Sequence, residues 1–148
     1  MQKLFCLAVF IFVLGIMPAA HTQNGMDLAC TQEQFYTAQY KIDPISTWSD
    51  LYNSFDKYWQ CDHDEVAIKY SRIVNRLLLN WDQISEFNTM NGRNPQFGEF
   101  VIRHLGCHVP QQQLTFYIDN ATKRCPKGAR DLCQSIIDRA QAPVCDKD

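Results

Sequence analysis

The chain has 148 residues, of which 46% are hydrophobic and 12% aromatic, and a formal net charge of −2 at pH 7. A charge this close to balance excludes general electrostatic attraction to nucleic acid or anionic membrane, and neither is expected as a partner. The aromatic content is too high for a disordered chain.

The first segment reads Met1, Gln2, Lys3 and then an apolar run from Leu4 to Met17, followed by Pro18, Ala19, Ala20 and the polar His21-Thr22-Gln23. One positive charge, an apolar stretch and then small residues make the pattern of a secretory signal. A spanning helix needs about twenty apolar residues, more than this run supplies. Residues 1–22 are therefore expected to be a signal peptide, cut after Ala20 or Thr22, and residues 23–148 a single helical domain. A lipidation box at Leu28-Ala29-Cys30 is unfavourable, because Met26 and Asp27 stand where the apolar core would have to continue. The expected location is exported, periplasmic or secreted, with no membrane anchor after the signal is removed.

Cys6 leaves with the signal, so Cys30, Cys61, Cys107, Cys125, Cys133 and Cys145 remain. An even count in an exported chain favours disulfides, here up to three. Zinc binding wants close Cys or His pairs, and none occurs. If one regular helix ran through Cys125 and Cys133, it would hold them about 12 Å apart. A bridge spans only about 4.4–6.8 Å between Cα atoms, so each is expected to reach another element.

In chain order, residues 27–42 read least clearly, with a short helix around Phe35, Tyr36 and Tyr40 stopped by Asp43-Pro44. Ser46 or Thr47 caps the next helix, whose apolar face is Trp48, Leu51, Tyr52, Phe55, Tyr58 and Trp59 and which ends near Cys61. Asp62 is the expected cap of a third helix with Val66, Tyr70, Ile73, Val74, Leu77 and Leu78 on its buried stripe. A shorter stretch around Trp81, Ile84 and Phe87 should end at Asn91-Gly92.

Asn94-Pro95 opens another helix, through Phe97, Phe100, Val101 and His104 to a stop at Gly106. Val109-Pro110 starts the next, through Leu114, Tyr117, Ile118 and Ala121, although 114–118 is also the one stretch with strand character. Pro126 is expected to open the last helix, which carries Leu132, Cys133, Ile136 and Ala140 and is stopped by Pro143. The fold class is all-α: a compact bundle of five to seven short helices, stapled by the disulfides.

Three clusters could carry chemistry. Cys61-Asp62-His63-Asp64 resembles the Cys-Cys-x-x-His-Asp helix of secreted phospholipase A2, which implies hydrolysis by His63 and Asp64. One residue, not two, separates Cys61 from His63, and no glycine-rich calcium loop precedes them. The same residues read more simply as an anion-stabilised helix start. His104 and His108 have the spacing of two ligands on one helical face, but Gly106 intervenes and His104 continues the apolar stripe. Lys123, Arg124, Lys127 and Arg130 gather around Cys125 as a solvated basic face, and Asn120-Ala121-Thr122 is a glycosylation sequon. No Ser-His-Asp motif, nucleophile elbow or phosphate loop is visible, so no catalytic, metal or cofactor residue is assigned.

The missing C-x3-C spacing separates the chain from insect odorant-binding proteins, which also carry six cysteines. Tyr52-x-Ser54-Phe55, Gln60-Cys61-Asp62, Tyr70-Ser71, Phe100-Val101-x-Arg103-His104 and Arg124-Cys125-Pro126, over roughly residues 48–140, resemble small exported bacterial helical proteins of no assigned function. That resemblance implies an exported helical domain and no activity. At the level of fold class the chain is also similar to periplasmic immunity proteins of contact-dependent toxin systems. The expected function is a non-enzymatic interaction or immunity-type protein that binds another protein. The alternatives are a small-molecule carrier, with a cavity between the Trp48–Trp59 helix and its neighbours, and the hydrolase.

Overall fold

The computed structural model describes residues 29–145, and the expected signal peptide and Cys6 lie outside them. Among the described residues there are seven α-helices and no strand: α1 Gln32–Ile42, α2 Trp48–Tyr58, α3 Asp64–Leu79, α4 Ile84–Arg93, α5 Pro95–His104, α6 Gln111–Lys123 and α7 Arg130–Gln141. Short 3-10 turns at Trp59–Cys61 and Trp81–Gln83 close α2 and open α4. Among the described residues no helix is long and apolar enough to cross a membrane.

Local chemistry explains three of the seven helix starts among the described residues. The hard-to-read α1 is set by a capping box. Thr31 Oγ1 accepts from the Gln34 amide at 3.2 Å, while Gln34 Oε1 accepts from the Thr31 amide at 3.0 Å. Thr47 caps α2 by accepting from the Asp50 amide at 3.1 Å. Asn94 does the same for α5, accepting from the Gln96 amide at 3.1 Å with Pro95 next in the chain. The stretch 114–118 is helical, inside α6. Helix α4 runs on through Asn91-Gly92 to Arg93, one residue beyond the turn signal. Gly92 has open space around its Cα, so nothing there forces the chain to turn.

Two expectations about starts are corrected. His63, without a side-chain cap bond, stands at the N-cap position of α3 in place of Asp62, whose side chain turns inward to the site described below. Pro126 does not open the last helix either, because α7 begins at Arg130 after a turn that includes Gly128 at φ +84°.

That turn also overturns the expectation that Cys125 and Cys133 cannot pair. Only Arg130–Cys133 is helical, so the chain folds back before any helical rise builds up. The two Cα atoms sit 6.0 Å apart, bridged. Cys30–Cys61 does join separate elements, pinning the start of α1 to the turn after α2.

Helix α3 is the central rod, packed on α1, α5 and α6, while α6 and α7 form an antiparallel hairpin. The interior is aromatic. Trp48 and Phe87 stack with centroids 4.6 Å apart, and Phe97 meets Tyr52, Phe55 and Phe87 at 5.0, 5.4 and 5.9 Å. Each such pair contributes about 0.5–1.5 kcal/mol beyond the area it buries.

Gly106 completes the turn after α5 at φ +84°, a conformation that costs other L-residues energy. A Cβ there would lie 3.1 Å from Pro143 Cβ and 3.3 Å from Leu114 Cδ2. Gly106→Ala is therefore expected to lower stability by about 1–3 kcal/mol, read as a reduced midpoint in urea.

Candidate functional site

Three elements bring polar groups to one buried point. Helix α3 sets Ser71 and Asn75 one turn apart on its inner side, α5 ends in Arg103 and His104, and the link before α3 supplies Asp62. His104 Nε2 lies 2.9 Å from Asp62 Oδ1 and 3.0 Å from Oδ2, and Nδ1 lies 2.8 Å from Ser71 Oγ. Arg103 Nη2 donates to the same Asp62 Oδ2. The side chains of Asp62 and His104 are 5% and 6% exposed, whereas that of Arg103 is 55% exposed.

Asn75 extends the network. Its Nδ2 donates to the Ser71 carbonyl at 2.7 Å and the His104 carbonyl at 3.2 Å, and its Oδ1 accepts from the Gly106 amide at 3.0 Å. A single amide thus satisfies groups left over at the end of α5. Tyr117 hydroxyl, from α6, donates to the Asn75 carbonyl at 2.9 Å.

Asp62, His104 and Ser71 form the acid–base–hydroxyl chain of hydrolytic triads, with the two ring nitrogens exchanged. In the neutral ring, the carboxylate requires the proton on Nε2, which leaves Nδ1 to accept from Ser71. Ser71, however, lies in the middle of α3. Backbone amides there are committed to the i→i−4 ladder, so the helix offers its hydroxyl no adjacent oxyanion donor. What the geometry does supply is a clamp: three helices and the Asp62 link joined by hydrogen bonds between buried polar groups.

Two clefts open on either side of this clamp. One, of about 520 Å³, is lined by Arg72, Arg76, Leu79, Val109, Pro110 and Gln113 among others. The second, of about 510 Å³, is lined by Asp62, His63, Asp64, Arg103, His104 and Cys145 among others. Ile68, Ser71, Cys107 and His108 line both. Asp64 at φ 49° and His108 at φ 57° are the non-glycine residues in left-handed conformation among those described, and both line the second cleft.

The second cleft therefore gathers His63, Asp64, His104 and His108, four residues that the sequence singles out. They play different parts. His104 is a buried partner of Asp62, whereas His63 and Asp64 are exposed and bonded to each other at 2.8 Å, with His63 stacked on Phe35 at 5.0 Å. Among the described residues no group of three or more His, Cys, Asp or Glu is placed to hold a metal ion.

The basic residues Lys123, Arg124, Lys127 and Arg130 are exposed. Lys123 pairs with Asp119 at 3.2 Å, and Arg124 pairs with Asp82 at 2.5 Å. Asn120 of the sequon is buried. Its Nδ2 donates to the Phe116 carbonyl and its Oδ1 accepts from Arg124, so the atom that would carry a glycan is engaged inside the fold.

Sequence reasoning missed Ser71, Asn75 and the inward turn of Asp62. The one available signal was two polar residues, four apart, inside the apolar stripe of α3. Against family models, curated proteins and solved structures, the chain matches none.

Proposed function

We propose that the chain is an exported, non-enzymatic interaction protein of the immunity type, acting by binding another protein. The observation that carries this reading is a set of exposed aromatics on a covalently pinned scaffold. Tyr36 and Tyr40 stand one turn apart on α1 and are 52% and 78% exposed, and Trp59 on the adjoining turn is 48% exposed. The Cys30–Cys61 bridge ties α1 to that turn. Together with Gln32, Glu33 and Thr37, the tyrosines line a shallow furrow.

Tyrosine and tryptophan dominate protein-binding hot spots because they bury a large area with few rotatable bonds to freeze. A disulfide between the two elements lowers the ordering cost further. Disulfides also suit an oxidising compartment, in line with the signal-like leader. The rings are suited to a partner that offers apolar pockets.

Tyr40→Ala and Trp59→Ala are each expected to weaken the native partner about 10- to 100-fold, in line with about 1.4–2.8 kcal/mol per anchor. Their melting temperatures should stay within about 2 °C of the parent, because neither ring is in the core. The measurement is titration calorimetry with the partner captured from the exported fraction of the native host. Unchanged affinity in both variants would place the interface elsewhere.

A further inference from the structure

Two of the three cysteine pairs are closed, Cys30–Cys61 and Cys125–Cys133. The remaining two cysteines come together from distant parts of the chain, as a third near pair. Cys107 lies in the link between α5 and α6, and Cys145 lies beyond the end of α7. Cys107 Sγ is 3.5 Å from the carbonyl oxygen of Val144, the residue before Cys145, and both cysteines line the second cleft.

The segment that delivers Cys145 is held in place independently of sulfur. The Arg139 guanidinium donates to the carbonyls of Arg103, Leu105 and Val144, fastening the segment after α7 to the end of α5. Pro143 packs against Gly106, where the missing side chain leaves it room. Two contacts, one polar and one apolar, therefore set residues 143–145 against the Gly106–Cys107 turn.

We infer that Cys107 and Cys145 form a third disulfide, which fastens the C-terminal strap to the α5–α6 turn as a wall of the cleft containing His104. Two thiols become one S–S bond. Their two electrons and two protons pass to a disulfide oxidant, glutathione disulfide or an oxidoreductase disulfide, whose S–S bond is reduced to two thiols. The loop it closes contains both α6 and α7, so the bond ties the open end of that hairpin to the Asp62–His104 clamp. It would flank the site opposite the Cys30–Cys61 bridge, whose Cys61 precedes Asp62, whereas Cys125–Cys133 joins the α6–α7 connection to the first turn of α7.

The test is disulfide mapping of the unaltered protein, isolated under oxidising conditions, alkylated before reduction and cut with trypsin. Cleavage after Arg103, Lys123, Arg139 and Lys147 yields peptides 104–123 and 140–147, each with one of the two cysteines. The expected result is these two peptides joined as the major form, two hydrogen masses below their sum. Finding both alkylated, while the Cys125 and Cys133 peptides are joined, would overturn the inference. Either cysteine joined to any other would overturn it too.

A second readout separates a bond from mere proximity. Cys107→Ser and Cys145→Ser should lower the urea midpoint equally, and the double variant should lower it no further. Additive losses would show two side chains acting separately.

Discussion

Replacing His104 with alanine is expected to lower the free energy of unfolding by about 3–5 kcal/mol, the usual cost of taking a partner away from a buried charge. The reason is what stays behind. Asp62, with its side chain 5% exposed, would keep only Arg103, whose own side chain is 55% exposed and half committed to water. Ser71 would lose the acceptor 2.8 Å away and remain a buried hydroxyl. Ser71→Ala removes one neutral hydrogen bond and should cost only about 1 kcal/mol. The double variant Asp62→Ala, His104→Ala should fall short of the sum of its single losses by about 1 kcal/mol or more, since each single change strands the other residue. Urea unfolding of the four variants at pH 7 measures this. Losses below 1 kcal/mol for His104→Ala would mean that the three helices are held by their apolar faces alone.

This expectation rests on a feature that the sequence conceals, and the contrast with what it reveals is physical. The helices were legible because each carries its own instructions: a cap at Thr47 or Asn94, and an apolar stripe repeating along α2, α3 and α5. Such signals are local, and α1 is blurred because its Thr31–Gln34 capping box stands among dense polar residues. Cys125–Cys133 failed for a related reason. Proline marks a permitted helix start, but the chain used Pro126 and Gly128 to make a turn first. The clamp is different in kind. Asp62 and His104 are 42 residues apart, and Ser71 and His104 are 33 apart. Nothing local distinguishes an inward Asp62 from a helix cap, since both roles suit a carboxylate before a helix. Only tertiary packing decides between them. His104 continues the apolar stripe of α5 and is buried, but the groups that satisfy it come from distant parts of the chain.

Above about pH 10 the chain should lose stability steeply, at about 2.7 kcal/mol per pH unit, because two buried phenols refuse to ionise. Tyr70 and Tyr117 are both fully buried. Burial pushes the Tyr117 hydroxyl up to about 12. Burial raises that of Tyr70 as well; its bond to Ser54 opposes the rise and the Asp62 charge adds to it. The sign follows from which state binds more protons. In the unfolded chain a tyrosine releases its proton near pH 10. The folded chain holds both protons higher, so the unfolded state binds fewer and stability falls as pH rises. The full contribution is present below pH 10 and drains away from there towards the folded values. Each phenol accounts for about 1.4 kcal/mol per unit within that window. Tyr117→Phe should therefore roughly halve the slope, while costing about 1 kcal/mol at neutral pH for the lost bond to the Asn75 carbonyl. Urea midpoints at pH 8, 10 and 11 for the two proteins measure the slopes. Absorbance at 295 nm gives an independent reading, because two of the six tyrosines should stay silent until the chain unfolds. All six titrating near pH 10 in a chain that remains folded would mean that these hydroxyls reach water, and that α3 and α6 are not closed over them.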